Sequence, residues 1–383
     1  VRADFNVPVN EDGEIESDFR ITQSLPTLQY LLDRHCSVIV IAHLGRPEGR
    51  PTKKYSLAPV AKKLQELLPD TNIEFIRSTV DDTALQACKH AKNGSLVLLE
   101  NLRFSPGEEA NDPEFAAQLQ RVSGADYFVQ DGFGVVHRAH ASTEAITHLL
   151  PSVSGLLLEK EVSILQKAMK HPEHSLVAVV GGAKISDKIG FIEQLLGIAN
   201  TILIGGAMAN TFLKYQNQPV GKSLVEPDQE DEIKRIYSLA QPDQIILPVD
   251  VAVATEISEG ATRRECRTDE VKESELILDI GPETMGLFDR HLKTAATVIW
   301  NGTLGYAELP QFAESSADLA QNMSDQHHSI TSIIGGGDTA DFVLDWLSMH
   351  REAKFTHIST GGGASLELMS GLKLPGLEAL IPA

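Results

Sequence analysis

The sequence predicts an α/β protein of two Rossmann-like, doubly wound parallel-sheet lobes joined by a hinge helix. Three observations point there. The chain runs to 383 residues, too long for one ordinary hydrophobic core. Short apolar runs of strand length recur along it, with Val, Ile and Leu at successive rather than alternate positions. That is the pattern of parallel strands buried on both faces. Between the runs lie helical stretches of about 10 to 15 residues, which implies right-handed βαβ units.

In the first half the runs are residues 37–42, 95–99 and 127–130. A boundary is expected near residues 151–155, so the first lobe spans 1–154. Residues 155–171 form the hinge helix, with Glu159, Lys160 and Glu161 on its polar side and Pro172 closing it. The second lobe, counted with that helix, covers 155–370, with strand runs at 175–180, 201–204, 244–247, 297–300, 329–334 and 356–359. Residues 371–383 are too short to form a domain and are expected to pack back on the first lobe. The chain opens at Val1 inside an apparent strand, without an initiator methionine, so a first strand is expected to precede it.

Composition narrows the function. Hydrophobic residues make up 42% and charged residues 22%, an ordinary globular balance. The net charge of -20 repels nucleic acid and anionic membranes. No apolar run approaches the roughly 20 residues that cross a bilayer, and the opening residues show no basic start followed by a small-residue cleavage site, although a segment is expected to precede them. Cys36, Cys88 and Cys266 form no CxxC pair and read as buried, inert thiols in a reducing cytoplasm. In so acidic a chain, any local gathering of Arg and His is informative.

Ligands of open α/β sheets bind at the carboxyl ends of strands. In the first half those ends carry Asp4 and Asn6, Arg20, His43 and Arg46, Arg103, and then His137, Arg138 and His140 after Asp131. Forked guanidinium donors match carboxylate and phosphate oxygens, so four arginines at four strand ends suit one small anion. No Ser–His or Cys–His pair offers a nucleophile.

In the second half the strand ends are glycine-rich, at residues 181–183, 205–207, 335–337 and 361–363. Glycine lets backbone amides approach phosphate oxygens, and each loop is expected to open a helix whose N-terminus favours anions. Lys184 and Lys188, four apart, would share one helix face and reach those phosphates. Asp338 is the candidate carboxylate for a phosphate-bound Mg²⁺, and the same position suits a helix N-cap. Gly221-Lys222-Ser223 resembles the end of a P-loop, but Gln216 stands where its first glycine is required. Gly335-x-Gly337-x-x-Ala340 fits a loose dinucleotide fingerprint. A dehydrogenase, however, needs an acid at the next strand end, and the chain offers His357, Ser359 and Thr360 there. A catalytically dead binding protein would have lost its cleft charges, and this chain keeps them.

The stretches VRADFNVPV, AHLGRP, LENLRF, DGFGVVHRAHAS, GGAKISDKIGFI, VGKSLVEPD, LPVDVAVA, WNGTLGYAE, IIGGGDTADF and STGGGASLELMSG together resemble the phosphoglycerate kinase family from end to end. The resemblance implies reversible in-line phosphoryl transfer between 1,3-bisphosphoglycerate with MgADP and 3-phosphoglycerate with MgATP, in glycolysis and gluconeogenesis, with hinge-bending closure. It implies a cytoplasmic monomer that binds neither nucleic acid nor membrane. By motif position, Asp4, Phe5, Asn6, Arg20, His43, Leu44, Gly45, Arg46, Arg103, Arg138 and His140 would hold the glycerate. Gly182, Ala183, Lys184, Lys188, Gly206, Asn301, Glu308, Gly336, Gly337, Asp338 and Thr339 would hold the nucleotide, Asp338 with the metal. Arg20, Lys184, Gly337 and Gly363 would stabilise the migrating group. Two positions depart from the family pattern: Thr303 stands where proline is usual, and Gly132 where alanine is usual, a change expected to be mild.

Overall fold

A computed structural model describes residues 1–380 and divides the chain into two units. Unit 1 comprises Val1–Ser163 with the C-terminal segment from Lys373, and unit 2 comprises Ile164–Leu372. The division therefore falls inside the helix Leu156–Lys170 rather than before it. The reason is local. Thr27 Oγ1 and Asp131 Oδ1 accept the first amides of that helix, from Leu156 at 2.9 Å and Leu157 at 3.0 Å. Glu161, expected on the polar side, is fully buried.

Unit 1 contains β1 (Val38–Val40), β2 (Ile73–Ile76), β3 (Leu96–Leu99), β4 (Phe128–Gln130) and β5 (Ser152–Ser154), all in parallel pairings. The strand order is β1-β3-β2 in one sheet and β4-β5 in a second. Arg2 joins them, bridging in parallel to Ile41 and to Gln130. Successive side chains of a strand point to opposite faces. Accordingly Val38, Val40, Leu96 and Leu98 pack in one core cluster, while Val97 and Leu99 pack in another. Both sheet faces are covered, as the unbroken apolar runs predict. Residues expected at the lobe boundary form β5 instead. In the C-terminal segment, the Gly376 amide donates to Val136 at 2.8 Å. Residues 381–383 of the expected tail lie outside the described residues.

Unit 2 holds β6 (Leu176–Val180), β7 (Thr201–Ile204), β8 (Ile245–Ile246), β9 (Asp250–Ala254), β10 (Arg264–Arg267), β11 (Leu276–Ile280), β12 (Thr297–Asn301), β13 (Thr331–Gly335) and β14 (His357–Ile358). Six of them form a parallel sheet in the order β14-β13-β12-β6-β7-β8. Its register pairs Asn301 with both Val180 and Gly335, and Val180 with Ile204. Four carboxyl ends are thereby level, and the loops leaving them are neighbours. The expectation of parallel sheets alone is incomplete, because β10-β9-β11 is antiparallel, with a register shift between Ile277 and Asp279. Among the described residues no helix is long and apolar enough to cross a membrane. Cys88 and Cys266 are buried, but Cys36 is exposed in the turn after the helix Phe19–Leu32, against expectation.

Candidate active site

The basic residues of unit 1 gather through a buried network. In the opening segment Arg2, Asp4 and Asn6 alternate with Ala3 and Phe5, and the apolar pair enters the core. Asp4 accepts from the Arg20 guanidinium at 2.7 Å and from the Asn6 amide at 3.1 Å. Asn6 Oδ1 accepts from the Gly45 amide at 2.8 Å, and Gly45 O accepts from Arg103 Nη1 at 2.8 Å. Gly45 has a φ of +61°, and a Cβ there would collide with the Tyr55 ring, so glycine is required.

Arg2 is wholly buried and was not expected in the site. It donates to Ser142 Oγ at 2.8 Å and to His43 Nδ1 at 3.1 Å. Arginine can only donate, so His43 Nδ1 is the acceptor and its Nε2 carries the proton. Ser142 Oγ in turn donates to Glu108 at 2.6 Å, a carboxylate with no exposure. Burial, then the charges of Arg2, Arg103 and Arg20, hold His43 well below its ordinary pKa. His140 lies at about 3, through burial and the neighbouring Arg103, Arg2 and Arg138. His137 lies at about 4, through burial and Arg138. Near neutral pH the three imidazoles are uncharged hydrogen-bonding groups, and the positive charge resides in the arginines.

Arg46 is exposed on the loop after Ile41. The side chains of Phe5 and Leu44 lie in the core, which leaves only their backbone for a ligand. At Gly132 an added Cβ would sit 3.2 Å from Val135 and 3.3 Å from the Ala3 and Asp4 backbone. Glycine therefore relieves a tight spot at this departure from the family pattern.

In unit 2 the level strand ends deliver their loops beside a cavity of about 270 Å³. Gly182, Ala183, Gly206, Leu278, Glu308 and Asp338 are among the residues lining it. Gly182, Gly206, Gly302 and Gly336 all have positive φ. At Gly206 a side chain would meet the Gly182 backbone and the Thr303 carbonyl. The Gly302 amide donates to Thr339 Oγ1 at 2.7 Å, and the Gly182 amide to Thr303 O at 3.0 Å.

Two expectations about this unit need correction. Lys184 and Lys188 do not share a helix face, because the helix begins only at Ile189. Glu226 takes the Ile185 and Ser186 amides, at 2.8 and 3.1 Å, and turns the chain before helix can form. Lys184 is exposed in that turn. Lys188 folds inward and donates to Gly181 O at 2.6 Å and Asn301 O at 2.8 Å. Burial lowers its pKa to about 8, against the opposing pull of Asp338 and Asp187. Asp338 is not an N-cap, since Gly336 holds that position and Asp338 lies exposed in the first turn of Gly337–Met349. Gly206, Gly337 and Gly363 do open helices.

Among the described residues no group of three or more His, Cys, Asp and Glu could hold a metal. Mg²⁺ at nucleotide sites is commonly held by one or two carboxylates with phosphate and water oxygens, and an exposed Asp338 beside the cavity fits that donor set.

The family model described as phosphoglycerate kinase matches residues 1–372. The phosphoglycerate kinase of Chloroflexus aggregans is 45% identical over 384 residues, spanning 99% of this chain and 95% of its own. That of Pelotomaculum thermopropionicum is 44% identical over 383 residues, spanning 100% of this chain and 95% of its own. The solved structure of phosphoglycerate kinase from Coxiella burnetii matches with a TM-score of 0.83 at 37% identity, covering 99% of this chain and 94% of that one.

Proposed function

The chain belongs to the phosphoglycerate kinase family, and we propose that unit 1 grips the phosphoglycerate while unit 2 presents the nucleotide for in-line transfer. The reaction is the reversible glycolytic exchange of a phosphoryl group between 1,3-bisphosphoglycerate with ADP and 3-phosphoglycerate with ATP. In the ATP-consuming direction a carboxylate oxygen of 3-phosphoglycerate forms a bond to the γ-phosphorus. The bond from that phosphorus to its bridging oxygen breaks, and ADP leaves. No protein side chain need react, so catalysis rests on positioning and charge.

The observation that carries the site assignment is the concentration of Arg20, Arg103 and Arg138, with three neutral histidines, in a chain of net charge -20. Arginines would pair the phosphate and carboxylate of the glycerate, and Asp4 and Asn6 would take its hydroxyl. The Nε2 proton of His43 supplies a donor that costs no added charge. Arg20 would meet the migrating phosphoryl group from one side and Lys184 from the other, with the amides at Gly337 and Gly363 adding donors at helix starts. Glu308 would hold the ribose and Asn301 the pocket wall. Asp338 would hold Mg²⁺, which when bound neutralises phosphate charge. Bending of the helix shared by the two units would close them over the substrates and exclude water. A monomer in the cytoplasm is the state we assign, consistent with the free thiols.

The test supplies 3-phosphoglycerate and MgATP, traps the acyl phosphate as it forms, and follows ADP release. Release should require both substrates and Mg²⁺. Arg20→Ala should lower kcat by roughly 10²- to 10³-fold, the usual cost of one preorganised donor to a transition-state anion. Near-normal turnover of that variant would remove Arg20 from the mechanism.

A further inference from the structure

The stretch VGKSLVEPD is a prominent motif to which no role in the reaction has been assigned, and it contains Glu226. We propose that Glu226 is a positioning residue for Lys184, an inference that rests on the phosphate-contacting role assigned to that lysine above. Between Gly182 and Ile189 the chain forms neither strand nor helix, so regular structure does not hold Lys184 in place. Glu226 does so from another segment. Its Oε2 accepts from the Ile185 amide at 2.8 Å and the Ser186 amide at 3.1 Å, and its Oε1 accepts from the Ser186 hydroxyl. The Ile185 amide belongs to the peptide plane that begins at the Lys184 carbonyl. Fixing that plane holds the Cα–C bond of Lys184 in place. With the loop also held at Gly182, rotation about that bond is restrained, which limits the directions in which the lysine side chain can leave the loop.

The carboxylate is itself anchored to the nucleotide site. The Glu226 amide donates to Thr211 Oγ1 at 3.1 Å, and Asn210 Nδ2 donates to Leu224 O at 3.2 Å. Asn210 and Thr211 are buried in the helix Gly206–Tyr215, whose Met208 amide donates to Gly182 O at 2.9 Å. One helix thus holds the Lys184 loop at Gly182 directly and at Ile185 through Glu226. Only an ionised carboxylate offers two oxygens that accept at once from three donors, and an amide offers one. This accounts for an acid at 226, whose hydrogen bonds go to the loop that carries Lys184.

The test compares kcat and nucleotide KM for the full chain, Lys184→Ala, Glu226→Ala, Glu226→Gln and the double variant Lys184→Ala/Glu226→Ala. Misplacing a catalytic group by about 1 Å can cost about 10²-fold, so Glu226→Ala should lower kcat by about 10- to 100-fold. Its nucleotide KM should stay within about 3-fold, since a loss confined to the transition state leaves ground-state binding alone. Glu226→Gln should lie between Glu226→Ala and the unchanged chain. In the Lys184→Ala background, Glu226→Ala should cost almost nothing further, because the group it positions is gone. An unchanged kcat in Glu226→Ala, or the same loss in both backgrounds, would overturn the inference. Lys184→Ala retaining full kcat would instead overturn the role of the lysine, and the inference with it. Should Glu226→Ala fail a thermal-melt check of folding, Glu226→Gln and Ser186→Ala read the same coupling.

Discussion

The site proposed for unit 1 rests on charged side chains, whereas the one proposed for unit 2 adds main-chain amides of glycine loops to a few side chains such as Lys184 and Asp338. In unit 1 the groups proposed to face the ligand rest on a second tier of buried polar residues, in which Arg2, Ser142 and Glu108 form one hydrogen-bonded chain. In unit 2 the level ends of β6, β7, β12 and β13 bring glycine loops together, and the sheet register does the positioning. The two designs fail differently. A side-chain site is broken by removing a charge or its buried partner. Glycine loops are broken by adding a Cβ where two of them touch.

The largest expected effect is Glu108→Leu. It strips the buried Arg2 of the countercharge reached through Ser142, and breaking such a buried pair typically costs about 3–5 kcal/mol. Urea unfolding should show unit 1 losing about that much while unit 2 is spared. A loss below about 1 kcal/mol, the scale of a surface ion pair, would mean that Asp4 alone compensates Arg2.

The matching break in unit 2 is Gly206→Ala. The residue has a φ of +64°, and its new methyl would press on the Gly182 backbone and the Thr303 carbonyl. Strain of about 1–3 kcal/mol follows from the conformation, before any clash. Urea unfolding should show unit 2 losing about that much stability, and calorimetry should show nucleotide binding weakened as the touching loops shift, with 3-phosphoglycerate binding unchanged. Equal weakening of both ligands would erase the contrast between the units.

Lys188 sharpens the comparison through pH. Its folded-state pKa of about 8 lies below the usual 10.5. Between those values the unfolded chain binds more protons, so the stability this group contributes rises with pH, and its penalty is fully present below about pH 8. Relative to Lys188→Met, the chain should gain about 1–3 kcal/mol between about pH 7.5 and pH 10. Paired urea titrations at the two pH values measure the gain. A flat difference would mean that Lys188 is not desolvated in the free protein.

Legibility in the sequence follows the same division. The parallel strands could be read because burial on both faces leaves unbroken apolar runs such as Leu176–Val180. Of the antiparallel strands, Arg264–Arg267 could not, since it carries three charges and only Cys266 is buried. The buried runs Asp250–Ala254 and Leu276–Ile280 carry no mark of their antiparallel pairing. Ile73–Ile76 hides likewise behind the exposed Glu74 of an edge strand. Glycine loops are local signals and were legible. Whether a helix begins at such a loop was not, because Glu226, some 40 residues away along the chain, decides it for Lys184. Arg2 was the costliest omission, although its alternation with Asp4 and Asn6 on one face of an extended segment was the available signal. Its partners, His43 and Ser142, lie far along the chain, and composition carries no trace of such pairing.

The smallest expected effect is the one most specific to the backbone design. Thr303 stands where the family pattern favours proline, yet its carbonyl accepts the Gly182 amide and would do so equally from proline. Thr303→Pro removes the hydroxyl bond to Gly305 O, 3.1 Å long and of a kind worth about 1 kcal/mol net. It also stiffens the unfolded chain, which stabilises by about 0.4–1 kcal/mol where the native φ suits proline. The two effects nearly cancel, so melting temperature and nucleotide KM should both stay close to those of the unaltered chain. A rise of about 10-fold in nucleotide KM would show that the threonine hydroxyl, and not the carbonyl beneath it, shapes the pocket. In that case the adenosine side of unit 2 would depend on a side chain, in the way that unit 1 does throughout.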